Sequence, residues 1–227
     1  MLFRSNNSTV GAYSLYNNTG GYSNVAIGYE AGRANTTGYV NTLVGYQAGY
    51  SNTTVPGLTA IGNSAGKNYN PGSDVWVSTF VGNNAGGATT SGTANTFVGG
   101  SAGVANTTGA SNAAFGAGAL FSNTTASQNV AVGYQALYTN TIGGGNVSLG
   151  YQALYNNTTA SNNTAVGYKA SYTNAAGQNN VAVGILALNL NSAGSANTAL
   201  GTNALYTNTT SNLTAVGYQA QIGRAHV

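Results

Sequence analysis

One glycine returns at nearly constant spacing along the whole chain. Ten of the twelve intervals between its copies are 17 residues, one is 20 and one is 16. A period this short, with a Gly or Asn-Thr-Thr turn in every copy, predicts that each repeat is one coil of a β-solenoid. We therefore expect an all-β parallel β-roll of about 13 coils, formed by residues 1–221 as a single tandem array. The thirteen copies are Gly11, Gly28, Gly45, Gly62, Gly82, Gly99, Gly116, Gly133, Gly150, Gly167, Gly184, Gly201 and Gly217.

The residue before each of these glycines is large and apolar in all thirteen copies and mostly β-branched. Such a position is typical of a short strand that faces a core. We expect these residues to be buried, so that a carboxylate at Val132 would disrupt folding. The predicted core is Val10, Ile27, Val44, Ile61, Val81, Val98, Phe115, Val132, Leu149, Val166, Val183, Leu200 and Val216.

Three other features of the repeat have physical explanations. The glycine supplies either a positive φ or a backbone that lies too close to its neighbour for a Cβ. Asparagine stands four residues before it in ten copies, including Asn129 and Asn180, which predicts a ladder of side-chain hydrogen bonds along the rod. One 17-residue coil buries too few apolar side chains to offset its ordering entropy, so stability requires stacked coils.

The composition leaves little for chemistry. Cysteine is absent, and the one histidine, His226, stands next to the C-terminal residue. The two carboxylates are 44 positions apart, so the sequence predicts no enzyme active site, metal site or cofactor. A net charge of +3 is too small for nucleic-acid binding, and no apolar run is long enough to span a membrane. The formally charged residues are Arg4, Glu30, Arg33, Lys67, Asp74, Lys169 and Arg224.

The 20-residue repeat is the one irregular place in the array. It replaces the usual turn with residues 67–76, which contain Pro71 and the only tryptophan, Trp76. Loops on rigid scaffolds often carry recognition, so any discrete binding site would involve Tyr69, Asp74 and Trp76. A harmless insertion bulge explains the same residues equally well.

Two recurring motifs allow both a structural and a functional interpretation. Tyrosine follows the glycine in six copies, as at Tyr134, and recurs four residues later, as at Tyr138. Such rows either stack as ladders or bind sugar rings. The Asn-Thr-Thr turns also match the N-glycosylation pattern, although a repeated turn produces these matches automatically. The matching residues are Asn35, Asn52, Asn106, Asn123, Asn157 and Asn208.

The motif N-V-A-V-G-Y-Q-A-L at residues 129–137, which nearly recurs at 180–188, resembles the head repeats of YadA-like trimeric autotransporter adhesins. It is also similar to repeat regions of phage tail-fibre proteins. The resemblance extends over residues 7–220. It implies a left-handed parallel β-roll in an intertwined homotrimer that binds a cell-surface glycan or receptor.

These observations predict a non-catalytic fibre segment, extracellular, on a cell surface or in a virion, that acts as a rigid shaft or adhesive display surface. Two alternatives remain open, namely a self-polymerising amyloid-like fibre subunit and an ice-binding β-solenoid. The array starts in mid-repeat, which suggests a fragment of a longer protein. Residues 222–227 leave the repeat and read like a sequencing adapter translated in frame, so we expect a non-native tail there.

Overall fold

The chain forms thirteen three-residue strands joined by turns in a computed structural model that describes residues 6–72 and 77–221. No helix occurs in these two ranges. The strands are β1 (Ser8–Val10), β2 (Val25–Ile27), β3 (Thr42–Val44), β4 (Thr59–Ile61), β5 (Thr79–Val81), β6 (Thr96–Val98), β7 (Ala113–Phe115), β8 (Val130–Val132), β9 (Val147–Leu149), β10 (Thr164–Val166), β11 (Val181–Val183), β12 (Thr198–Leu200) and β13 (Thr214–Val216).

All thirteen strands belong to one parallel sheet in which the spatial order equals the chain order. Each residue is paired with its counterpart in the next coil, so that Val132 lies opposite Leu149. The turns are joined in the same way, because Leu137 N donates to Ala153 O and Thr139 N donates to Tyr155 O, both at 3.0 Å. The predicted β-solenoid with a 17-residue period is confirmed, and each coil depends on its two neighbours.

Both suggested reasons for the repeated glycine hold. All thirteen copies have φ between +121° and +143°, a region that side chains rarely enter. A Cβ on Gly116 would also stand 2.5 Å from the Gly133 oxygen in the next coil. Gly133 N meanwhile donates to Phe115 O at 2.8 Å. The coils therefore approach each other too closely here for any other residue.

The turn after each strand contains further left-handed residues that are not glycine. In the coil of Gly133, Gln135 has φ +51° and Leu137 has φ +54°. A left-handed conformation costs a non-glycine residue roughly 1–2 kcal/mol. Repeated across the coils, these corners bend the chain back toward the sheet, and interactions between stacked coils must offset their cost.

The prediction that the pre-glycine residues form the core is wrong. The middle residue is buried in β2–β13: Ala131 is 0% exposed, whereas Phe115 and Leu149 in the predicted row are 42% and 44% exposed. Successive strand residues point to opposite faces, so a buried middle residue forces both of its neighbours outward. The predicted residues, from Val10 to Val216, therefore lie on the outer face of the sheet, half-buried at best.

The observed core is narrow, and it is filled by large and small side chains that complement one another in size. In five coils alanine or serine in the middle of a strand is paired with leucine four residues after the glycine, as Ala131 with Leu137. Where that later position is glycine, a large strand residue often fills the space. A Cβ on Gly66 would stand 2.5 Å from the Phe80 ring. Large and small side chains from adjacent coils, rather than one fixed residue type, together keep the interior packed.

This arrangement predicts that Ala131→Asp destabilises the chain much more than Val132→Asp. The first change buries an unpaired carboxylate and should lower the free energy of unfolding by about 3–5 kcal/mol. The second places its carboxylate on the outer face of the sheet, so the packing inside the coil is unchanged. Thermal unfolding of both variants followed by circular dichroism checks the difference, and an equal loss in the two would contradict the inward direction of Ala131.

Candidate functional site

Asparagines line the interior in two rows, and neither row is available to a ligand. The first row stands four residues before the glycine. Asn129 in this row accepts a hydrogen bond from Asn146 N at 2.9 Å and donates from Nδ2 to Gly143 O at 3.0 Å. The predicted asparagine ladder exists, but in this row each side chain bonds to the backbone of the next coil.

The second row stands seven residues after the glycine, at the turn that reads Asn-Thr-Thr in six coils, and here the side chains bond directly to one another. Asn140 Nδ2 donates to Asn123 Oδ1 at 2.9 Å, and Asn157 Nδ2 donates to Asn140 Oδ1 at 2.9 Å. Asn140 Nδ2 also reaches Gly143 O at 2.9 Å, so both rows converge on that carbonyl. An amide suits this position because it can donate and accept at the same time.

The burial of the second row also explains why the glycosylation motif recurs. Asn35, Asn52, Asn106, Asn123 and Asn157 are fully buried, with their amide nitrogens donating inside the rod. A glycan on these nitrogens would need the coil to open. Of the six matching residues, Asn208 alone reaches solvent. The repeated motif therefore reflects packing.

The first candidate functional surface is the outer face of the sheet, formed by the first and third residues of β1–β13. We call it the flat face. It carries no charged side chain, and its third-residue row exposes Ile27, Phe115, Leu149 and Leu200 among others. Seven strands pair a threonine with an apolar residue, as Thr79 with Val81. This is a continuous, regularly spaced and largely apolar surface of the kind that marks an interaction site.

The second surface, which we call the tyrosine face, consists of the residues one, two and five places after each glycine. Its outer row stacks Tyr134 on Tyr151 and Tyr151 on Tyr168, each at 5.4 Å between ring centroids. Its inner row stacks Phe121, Tyr138, Tyr155 and Tyr172 at 4.8–5.1 Å. Ring faces cover one another within these ladders, so the edges and hydroxyl groups are what solvent meets. The structural interpretation of the tyrosine rows fits this geometry.

Between the two tyrosine rows lies a row of polar side chains. Gln152 Nε2 donates to Gln135 Oε1 at 2.8 Å. Lys169 continues this row, with its nitrogen 5.5 Å from the centre of the Tyr168 ring and 5.2 Å from that of Tyr172. Both distances are within the range of cation–π attraction. The tyrosine face therefore presents aromatic edges, hydroxyls and amides together.

A second polar cluster occupies the same face near the N-terminus. Arg33 Nη1 lies 2.7 Å from Glu30 Oε1 and donates to the Tyr50 hydroxyl at 3.2 Å. Gln47 Nε2 donates to the other Glu30 oxygen at 2.7 Å. Tyr50 and Glu30 raise the pKa of the Arg33 guanidinium, and Arg33 stays charged. All four side chains satisfy one another, which indicates a structural cluster rather than an acid–base site.

Two tyrosines have raised pKa values. Burial, together with Tyr138 and Tyr172, raises the pKa of Tyr155. Burial also raises the pKa of Tyr69. Phenols with raised pKa values remain protonated in the physiological range.

The predicted recognition site in the insertion is wrong for Tyr69. This residue is fully buried, takes the place of an asparagine in the second row and packs edge-on against Phe80 at 5.3 Å. The first row changes in the same coils, where Leu58 and Ser78 replace asparagine. Tyr69 therefore belongs to an aromatic section of the core. Asp74 and Trp76 lie outside the described residues.

No group of three or more histidine, cysteine, aspartate or glutamate side chains occurs within residues 6–72 and 77–221. In the same ranges there is no helix long and apolar enough to cross a membrane. The chain matches no protein-family model, and no curated protein or solved structure matches it. Its functional assignment therefore rests on its own surfaces.

The second asparagine row predicts that Asn140→Asp is strongly destabilising. A carboxylate cannot donate to Asn123 Oδ1 or to Gly143 O, and it would face both oxygens while buried. We expect the free energy of unfolding to fall by about 3–5 kcal/mol. Chemical denaturation measures this loss. Asn208→Asp is the matched control, because that residue reaches solvent, keeps the bonds it accepts from Thr210 and loses only an exposed bond to Thr210 O. Equal losses in both variants would contradict the ladder.

Proposed function

We propose that this chain is a non-catalytic segment of an extracellular surface or virion fibre, a rigid shaft and adhesive display surface that works as a homotrimer. The observation that supports it best is the uninterrupted thirteen-strand sheet, in which each coil is stabilised by its neighbours. At about 4.8 Å per rung the twelve steps give a rod roughly 60 Å long. Repetition in one direction suits a spacer.

The flat face supports the oligomeric part of the proposal. Its apolar row repeats once per coil along the whole rod, and a second copy of the chain has the same repeat. Copies laid side by side can therefore bring apolar residues into contact at every rung. The absence of charge on this face removes a cost of bringing identical surfaces together. The trimer itself comes from the resemblance to adhesin head repeats.

Adhesion to a cell-surface glycan or receptor is the finer part of the proposal. Three coils of the tyrosine face offer the same set of hydroxyl, amide and aromatic edge groups, as at Tyr134, Gln135 and Tyr138, and the other coils vary it. A contact that is weak at one coil becomes strong when it recurs along the rod and in each copy. Multivalent display is thus what this geometry favours over a single deep pocket.

Mass in solution tests the homotrimer. We expect analytical ultracentrifugation to give three times the 22.6 kDa chain mass. A variant with Val132→Lys, Leu149→Lys and Val166→Lys should give the mass of one chain, because lysines on the flat face would be buried without partners. A single-chain mass for the unaltered protein would contradict the proposal, and a mass that grows with concentration would favour the self-polymerising alternative.

The matched control for that experiment adds the same charge to another side of the same coils. Thr125, Ile142 and Thr159 are exposed and stand 17 residues apart, as the three flat-face residues do. Replacing them with lysine should leave the oligomer intact. Dissociation of this control as well would show that added charge, rather than the flat face, breaks the assembly.

One observation favours ice binding as a second candidate function. Seven strands present threonine and an apolar side chain outward in a regular array, among them Thr79 with Val81 and Thr96 with Val98. Such a flat face can order water at fixed spacing through its methyl and hydroxyl groups. The face is uncharged, which suits contact with a crystal surface.

For this second function we expect the protein to lower the freezing point of water without an equal change in the melting point. Thr79→Lys with Thr96→Lys should abolish the effect because the lysines disrupt the flat array. Thermal hysteresis measured with a nanolitre osmometer checks both. Its absence in the unaltered protein would eliminate this candidate.

A further inference from the structure

The tyrosines of this chain are paired across coils in a regular pattern. Six Tyr–Tyr pairs are stacked with centroids 4.9–5.6 Å apart, and each joins residues 17 positions apart. The pairs are Tyr22 with Tyr39, Tyr29 with Tyr46, Tyr134 with Tyr151, Tyr138 with Tyr155, Tyr151 with Tyr168 and Tyr155 with Tyr172.

The outer tyrosines are also within reach of solvent. Tyr134, Tyr151 and Tyr168 are 48%, 44% and 46% exposed. Their ring faces are covered by one another, so the exposed parts are the ring edges, which carry the hydroxyl and the carbons beside it. Those carbons are where phenols couple after oxidation.

The sequence offers few other groups that an oxidant would attack first. Cysteine is absent, and the chain has one methionine and one tryptophan against sixteen tyrosines. Thiols and thioethers are the usual sinks for oxidising equivalents in proteins. Oxidation of this chain is therefore directed to tyrosine.

We infer that the tyrosine ladders are sites of oxidative cross-linking, at which a haem peroxidase with hydrogen peroxide joins tyrosines of successive coils as dityrosine. Each of two tyrosines gives up one electron and its phenolic proton. The two radicals form one carbon–carbon bond between ring carbons next to the hydroxyls, and the hydrogen on each bonded carbon moves to the phenolic oxygen. The peroxide takes up the two electrons and two protons and leaves as two water molecules.

The stacking makes coupling between neighbours faster than coupling between separate rods. The Tyr155 ring is stacked between the Tyr138 and Tyr172 rings, with 5.1 Å between ring centroids on each side. A radical on Tyr155 therefore has a coupling partner on both sides. Holding reactants together in this way gives effective concentrations that free tyrosines in solution do not reach. The product is a covalent cross-link between one coil and the next. A fibre exposed to the peroxidase and peroxide would therefore be cross-linked along its length.

The test treats the purified full chain with a haem peroxidase and hydrogen peroxide and maps cross-linked peptides by mass spectrometry. We expect chains that remain single on a denaturing gel, carry dityrosine fluorescence and lose two hydrogens per cross-link. Cross-links should join Tyr134 with Tyr151, Tyr151 with Tyr168, Tyr138 with Tyr155 or Tyr155 with Tyr172. No dityrosine, or cross-links between chains only, would overturn the inference.

A double variant, Tyr151→Phe with Tyr155→Phe, keeps the rings but breaks all four of these tyrosine pairs. It should lose every cross-link between residues 134 and 172 while keeping the circular dichroism of the unaltered chain. The control removes two tyrosines outside the stacked pairs, Tyr206→Phe with Tyr218→Phe, and should keep those cross-links. Equal cross-linking in this region in both variants would overturn the inference.

Discussion

In-register stacking is the constraint on which the rest of this structure depends. Because every residue lies over its counterpart in the next coil, each side chain must be compatible with a copy of itself about 4.8 Å away. Glycine meets this condition where the backbones of two coils touch. Asparagine meets it because its amide can donate and accept at once, and tyrosine meets it because its rings stack. Charged side chains fail it, since like charges at this distance repel. The scarcity of charge therefore follows from the fold.

The few charged residues that are described obey the same rule. Glu30 lies over Gln47, which donates a hydrogen bond to it. Arg33 takes a place between Tyr16 and Tyr50 in the inner tyrosine row, and Lys169 stands between Gln152 and Leu186 in the polar row. None of them has a like charge in the adjacent coil. Each charge is thus isolated along the rod and held by neutral or opposite partners.

The surfaces follow from the same constraint. The apolar third-residue row recurs in every coil, so the flat face extends along the whole rod, whereas the aromatic rows of the tyrosine face are confined to some of the coils. Such surfaces suit partners that are themselves periodic, including further copies of the chain.

The sequence by itself determined the period, the parallel β-solenoid and the existence of ladders, because these follow from spacing and from residue types that tolerate stacking. It did not determine which side of each strand faces inward. Val132 and Ala131 are both compatible with a strand interior. The larger side chain of Val132 led to the prediction that Val132 is buried, whereas Ala131 is the buried residue. Only the tertiary structure decided this, since the narrow coil admits alanine there and leucine at Leu137 opposite it. The same packing buried Tyr69, whose position in an irregular repeat had suggested a binding loop, and it placed the Asn-Thr-Thr asparagines inside the rod, where amides from adjacent coils meet.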